Sequence, residues 1–567
     1  MALKHRIPVR VRHYWKLLAT CAAVLVAFTV VFSTVRVAPL VTSASDSGRD
    51  EVTQNIEGTK DLFDATIGHS IKLTFRDADF QNMLDKLWDE DEKEYLEADL
   101  TIDGTTIPSV GIRLKGNSTL GQLTRNGESR PRGMGPGGGR GGLGADGGPG
   151  GPGGGAPPAG FPQMPADGAA PDAGGGNQPG AAASGAAQPG GDQPGGAQGG
   201  GMPDGGMFGG GRGGFGTGGL KAEEPEALPW LIRFDEFVEG RRYQGHREVA
   251  VRVAGMGGGK TVMNEAVSLN VLAAAGEAVQ RYAYTSFTVN DRPTTARLVV
   301  EHPDEHFADR IGGHGVLYKS LAGGSFTDKG DDPTDYVEDF KQITQIGSQD
   351  LQPVIDLVRW VTTASDKEFD EHLGDHVDIP SFSRYLAEQN LLINFDDMAG
   401  PGRNYYLWYD LTTKKFSVVG WDYNLALSGS AEQDPHQSVS MGGGRGGPGG
   451  GQGFQPPEGM QLPEGMQPPG GGNGGPGGGR GLGGHKLKER FLASKAFTAA
   501  YDQAYRELYQ KIYAGGAATK ALDSALAVLT TVDGYDQKAG TDEATKLRTL
   551  IQQRNAFLAK NKTITGS

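Results

Sequence analysis

At 567 residues the chain is long enough for several domains, but 93 glycines and 32 prolines, gathered largely in two tracts, leave a much shorter foldable part. A formal net charge of −14 argues against nucleic acid as a partner. The single cysteine, Cys21, excludes an intramolecular disulfide, so any exported domain must stand on its core alone.

Residues 1–16 form a basic tail carrying Lys4, Arg6, Arg10, Arg12 and Lys16, and an apolar run follows over 17–35. That run is about long enough to cross a bilayer as one helix, the only such segment in the chain. The flanking charge would keep the tail in the cytoplasm and put everything beyond Arg36 outside. The expectation is a single-pass cell-membrane protein whose bulk is extracytoplasmic. The alternative is secretion after signal cleavage near Thr42, Ser43 and Ala44. A linker fills 36–65, and a folded domain is expected over 66–486. Gly/Pro-rich insertions at 131–220 and 440–484 interrupt it and read as disordered, solvated chain. A helical lobe is expected over 487–567.

Within the domain, AGMGGGKT (Ala254–Thr261) follows the strand-like Arg247–Val253 and precedes a helix, as a phosphate-binding loop would. The motif requires glycine where Ala254 stands, so the segment reads as a flexible strand-to-helix connection. His302 and His306 lie four apart in EHPDEH, but Pro303 breaks the helix that a zinc-binding HExxH needs. The acidic run DKGDDPTD near Asp328 lacks the ligand order of a calcium loop and reads as solvated. The segments Tyr405–Tyr409 and Phe416–Trp421, rich in aromatic and β-branched residues, predict a hairpin about the turn Asp410–Lys415. Asp396, Asp397 and Asn404 precede its first strand and Asp422 ends its second. Phosphoryl transfer needs such a set: a carboxylate to orient the attacking hydroxyl, and an Asn and a second Asp to hold Mg²⁺. The alternative is that these residues cap turns. Beyond the second tract, Ala493, Phe497, Tyr501, Tyr505 and Leu508 recur at helical spacing and predict a packed helical face, broken at Gly515 and Gly516.

The wording N-F-D (Asn394–Asp396), N-Y-Y-L-W-Y-D (Asn404–Asp410) and W-D-Y-N (Trp421–Asn424) resembles the CotH family of spore-coat kinases. GIRLKGNST (Gly111–Thr119), LIRFDEFVEGRRYQG (Leu231–Gly245), the helix over Asn264–Gly276 and VLYKS around Lys319 resemble the same family in the same order. The resemblance implies an α+β, two-lobed, atypical protein-kinase-like domain, here on an N-terminal transmembrane helix, with ATP and Mg²⁺ as cofactors. It implies Asp396 or Asp397 as the catalytic carboxylate, and Asn404 and Asp422 as metal ligands. Glu265 becomes the helix glutamate that pairs with an ATP-binding cation, and Glu301 lies near the hinge that contacts the base. The position expected to hold the ATP lysine, two residues before Arg233, is Leu231, which leaves Lys115, Arg113 or Arg233 to supply the charge, with Ser118 touching a phosphate. The implied reaction is γ-phosphoryl transfer from ATP to an envelope or spore-coat protein. The alternative is a kinase-like scaffold of the envelope or coat that has lost catalysis.

Overall fold

In a computed structural model the described residues are 51–116, 119–129, 220–254, 261–345, 349–437 and 484–566. The sequence-expected insertions fall outside them, apart from Leu220 and Gly484 at their ends, as do Ser118 and the glycines 257–259.

Seven strands close into a barrel: β1 (Gly68–Thr74), β2 (Leu96–Ile102), β3 (Thr105–Leu114), β4 (Trp230–Arg233), β5 (Glu248–Val251), β6 (Tyr282–Val289) and β7 (Thr295–Glu301). The order around the barrel is β6-β7-β5-β4-β3-β2-β1. All its neighbours are antiparallel except the pair that closes it, β1 running parallel to β6 with Gly68 opposite Tyr284 and Leu73 opposite Val289. Closure leaves no unpaired barrel edge. Alternation along each strand divides the side chains between two surroundings. Ile71, Leu73, Leu100, Ile112, Trp230, Ile232, Val249, Val251 and Val299 share one apolar cluster, which Phe80 and Leu84 of α1 (Asp77–Asp89) complete. Tyr282, Tyr284, Leu298 and Val300 belong to a second cluster, shared with the helices.

Helix α2 (Met263–Ala275) is buried on nearly every side, because MNEAVSLNVLAAA offers apolar residues all round its circumference. Gly276 ends it in the left-handed conformation at φ 87°, where the following N–H of Glu277 reaches back to Leu272 O. After α3 (Glu305–Ile311), a second sheet is built from β8 (Gly315–Ser320), β9 (Phe340–Gln342), β10 (Tyr405–Asp410) and β11 (Phe416–Gly420) in the order β9-β8-β10-β11. Helices α4 (Gln352–Thr363), α5 (Asp366–His376) and α6 (Ile379–Leu391) lie between β9 and β10 in the chain. The C-terminal helices are α7 (Lys486–Ala493), α8 (Thr498–Tyr509), α9 (Ala517–Leu529), α10 (Gln537–Leu558) and the short α11 (Lys562–Thr565). Phe497, Tyr501, Tyr505 and Leu508 are all buried in the helical core, although the expected stripe spans a break at Ser494 between α7 and α8. Gly516 sits at φ 73° just before α9.

Two expectations are corrected. The fold is a closed seven-stranded barrel with a four-stranded sheet and eleven helices among the described residues, in place of a two-lobed domain carried on a transmembrane helix. No described helix is long and apolar enough to cross a membrane, which counts against the single-pass placement and the membrane as a partner. Residues 17–35, on which that expectation rested, lie outside the described residues.

Candidate active site

The loop from Asn394 to Asn404 joins α6 to β10 and is wound around one carboxylate. Asp396 accepts from Gly402 N–H at 2.6 Å through Oδ1 and from Asn404 Nδ2 at 2.9 Å through Oδ2. The glycines make this approach possible. A Cβ on Gly402 would stand 2.7 Å from both Asp396 Oδ2 and Asn404 Nδ2, and one on Gly400 would stand 2.5 Å from Asp396 Cα. The Gly-Pro-Gly stretch is thus what lets the loop fold over the side chain. Burial pushes the Asp396 carboxyl up to about 6; Gly402 and Asn404 favour its charged form, whereas the nearby Asp422 and Asp397 oppose it.

The neighbouring Asp397 has a different environment. Its Oδ1 accepts from Ala399 N–H at 2.8 Å and its Oδ2 is paired with the Lys488 ammonium of α7, with both side chains buried. Of the two carboxylates, Asp397 is committed to an ion pair that fastens the loop to α7. Among the described residues Asp396 has no ion-pair partner, and the like charge of Asp422 acts on it.

Asp422 follows β11 and Trp421 and takes the left-handed conformation, φ 61° and ψ 63°, a costly backbone geometry that Asp tolerates better than most residues. Its Oδ1 is buried 3.1 Å from Arg252 Nη2 without an aligned hydrogen-bond donor, and Asn424 Oδ1 is likewise buried and unpartnered. Asn264, in the first turn of α2, donates to the carbonyl oxygens of Asn424 and Ala426 and ties that helix to the Asp422 turn. One turn position away, Glu265 accepts from Arg252 Nη2 at 2.6 Å. Arg252 immediately follows β5, so the strand and the helix on either side of 255–260 are bridged by a buried ion pair.

Trp421 stands among cations. Lys115 Nζ and the Arg252 guanidinium each lie 4.9 Å from its ring centre, and Lys319 Nζ lies at 5.5 Å, within the range of attraction to an indole face. Three cations share this space with the carboxylates of Glu265 and Asp422. Burial, then Arg252 and Lys319, hold the Lys115 ammonium well below its ordinary range. Burial likewise brings Lys319 down to about 8, against the pull of Asp422 and Glu248. Such a cluster is relieved by an anion. Beside it lie Asn424 Oδ1, buried without a hydrogen-bond partner, and Asp422 Oδ1, ion-paired with Arg252, oxygens of the kind a hard divalent cation takes.

Arg233 and Glu301, also expected at the site, have other partners. Arg233 is paired with Asp235 at 2.7 Å and Glu236 at 3.0 Å. It sits opposite Glu248, at the far end of the β4–β5 pairing from Arg252, where Trp230 faces Val251. Leu231, between Arg113 and Ala250 in register, is a buried apolar residue. The Glu301 side chain is fully buried and turned toward His246, His306 and Arg310. Arg252, Lys319, Asn424 and Lys488 were missed from sequence. For Arg252 a signal existed: V-A-V-R over Val249–Arg252 has the form of the V-A-I-K strand of protein kinases, with arginine in the basic position.

A basic strand residue paired with a helix glutamate, next to a hairpin framed by two aspartates and an asparagine, is the geometry of a kinase-like site. The profile of the CotH kinase protein family matches residues 215–558. This chain belongs to the CotH kinase family. The match takes in Arg252, Glu265, Lys319, Asp396, Asn404 and Asp422, and begins after Lys115. No curated protein matches this CotH kinase chain.

Proposed function

We propose that this CotH kinase transfers the γ-phosphoryl group of ATP, in the presence of Mg²⁺, to a Ser, Thr or Tyr hydroxyl of an envelope or spore-coat protein. The observation that carries the reading is the gathering of three cations around Trp421, beside the buried carboxylate of Asp422 and the buried amide oxygen of Asn424. The residues present fit the cofactor pair. Asp422, Asn404 and Asn424 present oxygens for Mg²⁺, and Arg252, Lys115 and Lys319 meet the negative charge of the phosphates. Mg²⁺, when bound, neutralises charge on the transferring phosphoryl group.

In this reading Glu265 acts on Arg252, holding the guanidinium beside Trp421 and Asp422. Asp396 orients the acceptor hydroxyl and takes its proton. Its carboxyl, raised to about 6, is ionised at neutral pH yet basic enough to accept a proton. Gly402 N–H and Asn404 fix its direction. Asp397, paired with Lys488, serves the loop's architecture and leaves the chemistry to Asp396.

The test is transfer of label from γ-labelled ATP to protein, comparing wild type with Asp396→Asn and Asp422→Ala. Losses of at least about 10²-fold in both are expected for a base and a metal ligand. Undiminished transfer in either variant, with the fold intact by circular dichroism, would remove that residue's role.

A further inference from the structure

On another part of the barrel, three side chains converge. His246 Nδ1 lies 3.8 Å from Glu301 Oε1, and His306 Nδ1 lies 3.9 Å from the same oxygen. These separations are too long for hydrogen bonds, and all three atoms are buried without any hydrogen-bond partner. One ligand atom from each residue lies within 4.8 Å of the other two. Glu301 and His246 are almost wholly inaccessible, at 0% and 1% exposed, whereas the His306 side chain is 36% exposed.

The arrangement is built. Glu301 ends β7, and its other oxygen is anchored by Arg281 N–H at 3.0 Å and by Arg310. That anchorage leaves Oε1 facing the imidazoles. His246 closes a tight turn in which it exchanges backbone hydrogen bonds with Tyr243, at 2.9 and 3.1 Å. The turn needs Gln244 at φ 50° and Gly245 at φ 81°, and a Cβ on Gly245 would come within 2.8 Å of the His306 ring.

We propose that His246, Glu301 and His306 form a binding site for Zn²⁺, with Nδ1, Oε1 and Nδ1 as ligands and the fourth position open on the His306 side. Two imidazoles and one carboxylate are a donor set suited to zinc, while Mg²⁺ and Ca²⁺ prefer oxygen alone. Bonds of about 2.0–2.1 Å place tetrahedral ligands about 3.3–3.4 Å apart, so the two distances to Glu301 Oε1 must close by roughly 0.5 Å and the two imidazoles, whose ligand atoms lie within 4.8 Å of each other, by up to about 1.4 Å. His306, on the short helix α3 and partly in solvent, is the ligand free to make that movement. Arg310 and Arg281 oppose the added charge and lower the affinity without removing a ligand. Bound zinc braces the end of β7, where the next residue, His302, holds Glu248 at 3.0 Å and lies 5.4 Å from Trp421.

The test uses the full chain without an affinity tag, stripped by chelator and titrated with zinc chloride against a chromophoric competitor in excess Mg²⁺. Cobalt chloride serves as the spectroscopic probe. One zinc per chain and tetrahedral cobalt absorption are expected, with affinity falling at least about tenfold in His306→Ala and Glu301→Gln and unchanged in His372→Ala. His306→Ala is the decisive variant because its site is half exposed and the fold should tolerate it. Absence of zinc binding by the folded chain, or equal affinity in His306→Ala, would overturn the proposal.

Discussion

Replacing Asp396 by Asn should make the protein more stable as it abolishes transfer, and the stability gain should depend on pH. The folded-state carboxyl sits at about 6 against an ordinary value of 3.8, so the native state holds its proton more tightly than the unfolded chain. The sign follows: below pH ~4 the group is protonated in both states and costs nothing, while above pH ~6 the native state carries a buried charge at a cost. A displacement of about 2 pH units corresponds to about 3 kcal/mol at full extent. Asn keeps an acceptor for Gly402 N–H, and the Asn404 amide can turn to accept from the new side chain, so the swap loses about 1 kcal/mol or less of hydrogen bonding. Urea denaturation with chelator present should therefore show a gap between variant and wild type that widens by roughly 2 kcal/mol from pH 4.5 to pH 7.5. A gap independent of pH, or one that narrows as pH rises, would refute the claim that Asp396 is a buried carboxylate lacking a compensating cation.

Three further outcomes follow from the site. Arg252→Ala should weaken ATP binding at least about tenfold by calorimetry, and adding Glu265→Gln to it should cost little more, because Glu265 acts through Arg252. Lys488→Met leaves Asp397 charged and buried and should cost about 3–5 kcal/mol in denaturant unfolding, with most of that recovered in the double variant Lys488→Met with Asp397→Asn. The pH profile of transfer should rise as Asp396 ionises through about 6 and fall as Lys319 loses its proton through about 8, and Lys319→Arg should remove only the alkaline limb.

What could be read from sequence was local. The hairpin over 405–420 and the acidic residues at its strand ends are a matter of neighbouring positions, and the structure has both. The choice between Asp396 and Asp397 was not readable, because it turns on Lys488, ninety-one residues further along the chain. Barrel closure was equally hidden: β1 and β6 pair in parallel across more than two hundred residues, and alternation within a strand says nothing of its distant neighbour. The cation was sought around Arg233, whereas the helix glutamate Glu265 pairs with Arg252, just past the next strand, and the V-A-V-R wording was the unused clue. The histidine cluster has no signature spacing, since His246 and Glu301 meet only through the turn before β5 and the end of β7. Pro303 does break the helical zinc pattern, but the fold reaches His306 by another route.

The most direct test of the kinase reading is calorimetric titration of ATP into the purified chain with and without Mg²⁺, for wild type and Asp422→Ala. Binding that requires both the metal and Asp422 is the predicted result. Binding that survives the loss of Asp422 undiminished, or no binding by a wild-type chain shown to be folded, would contradict it.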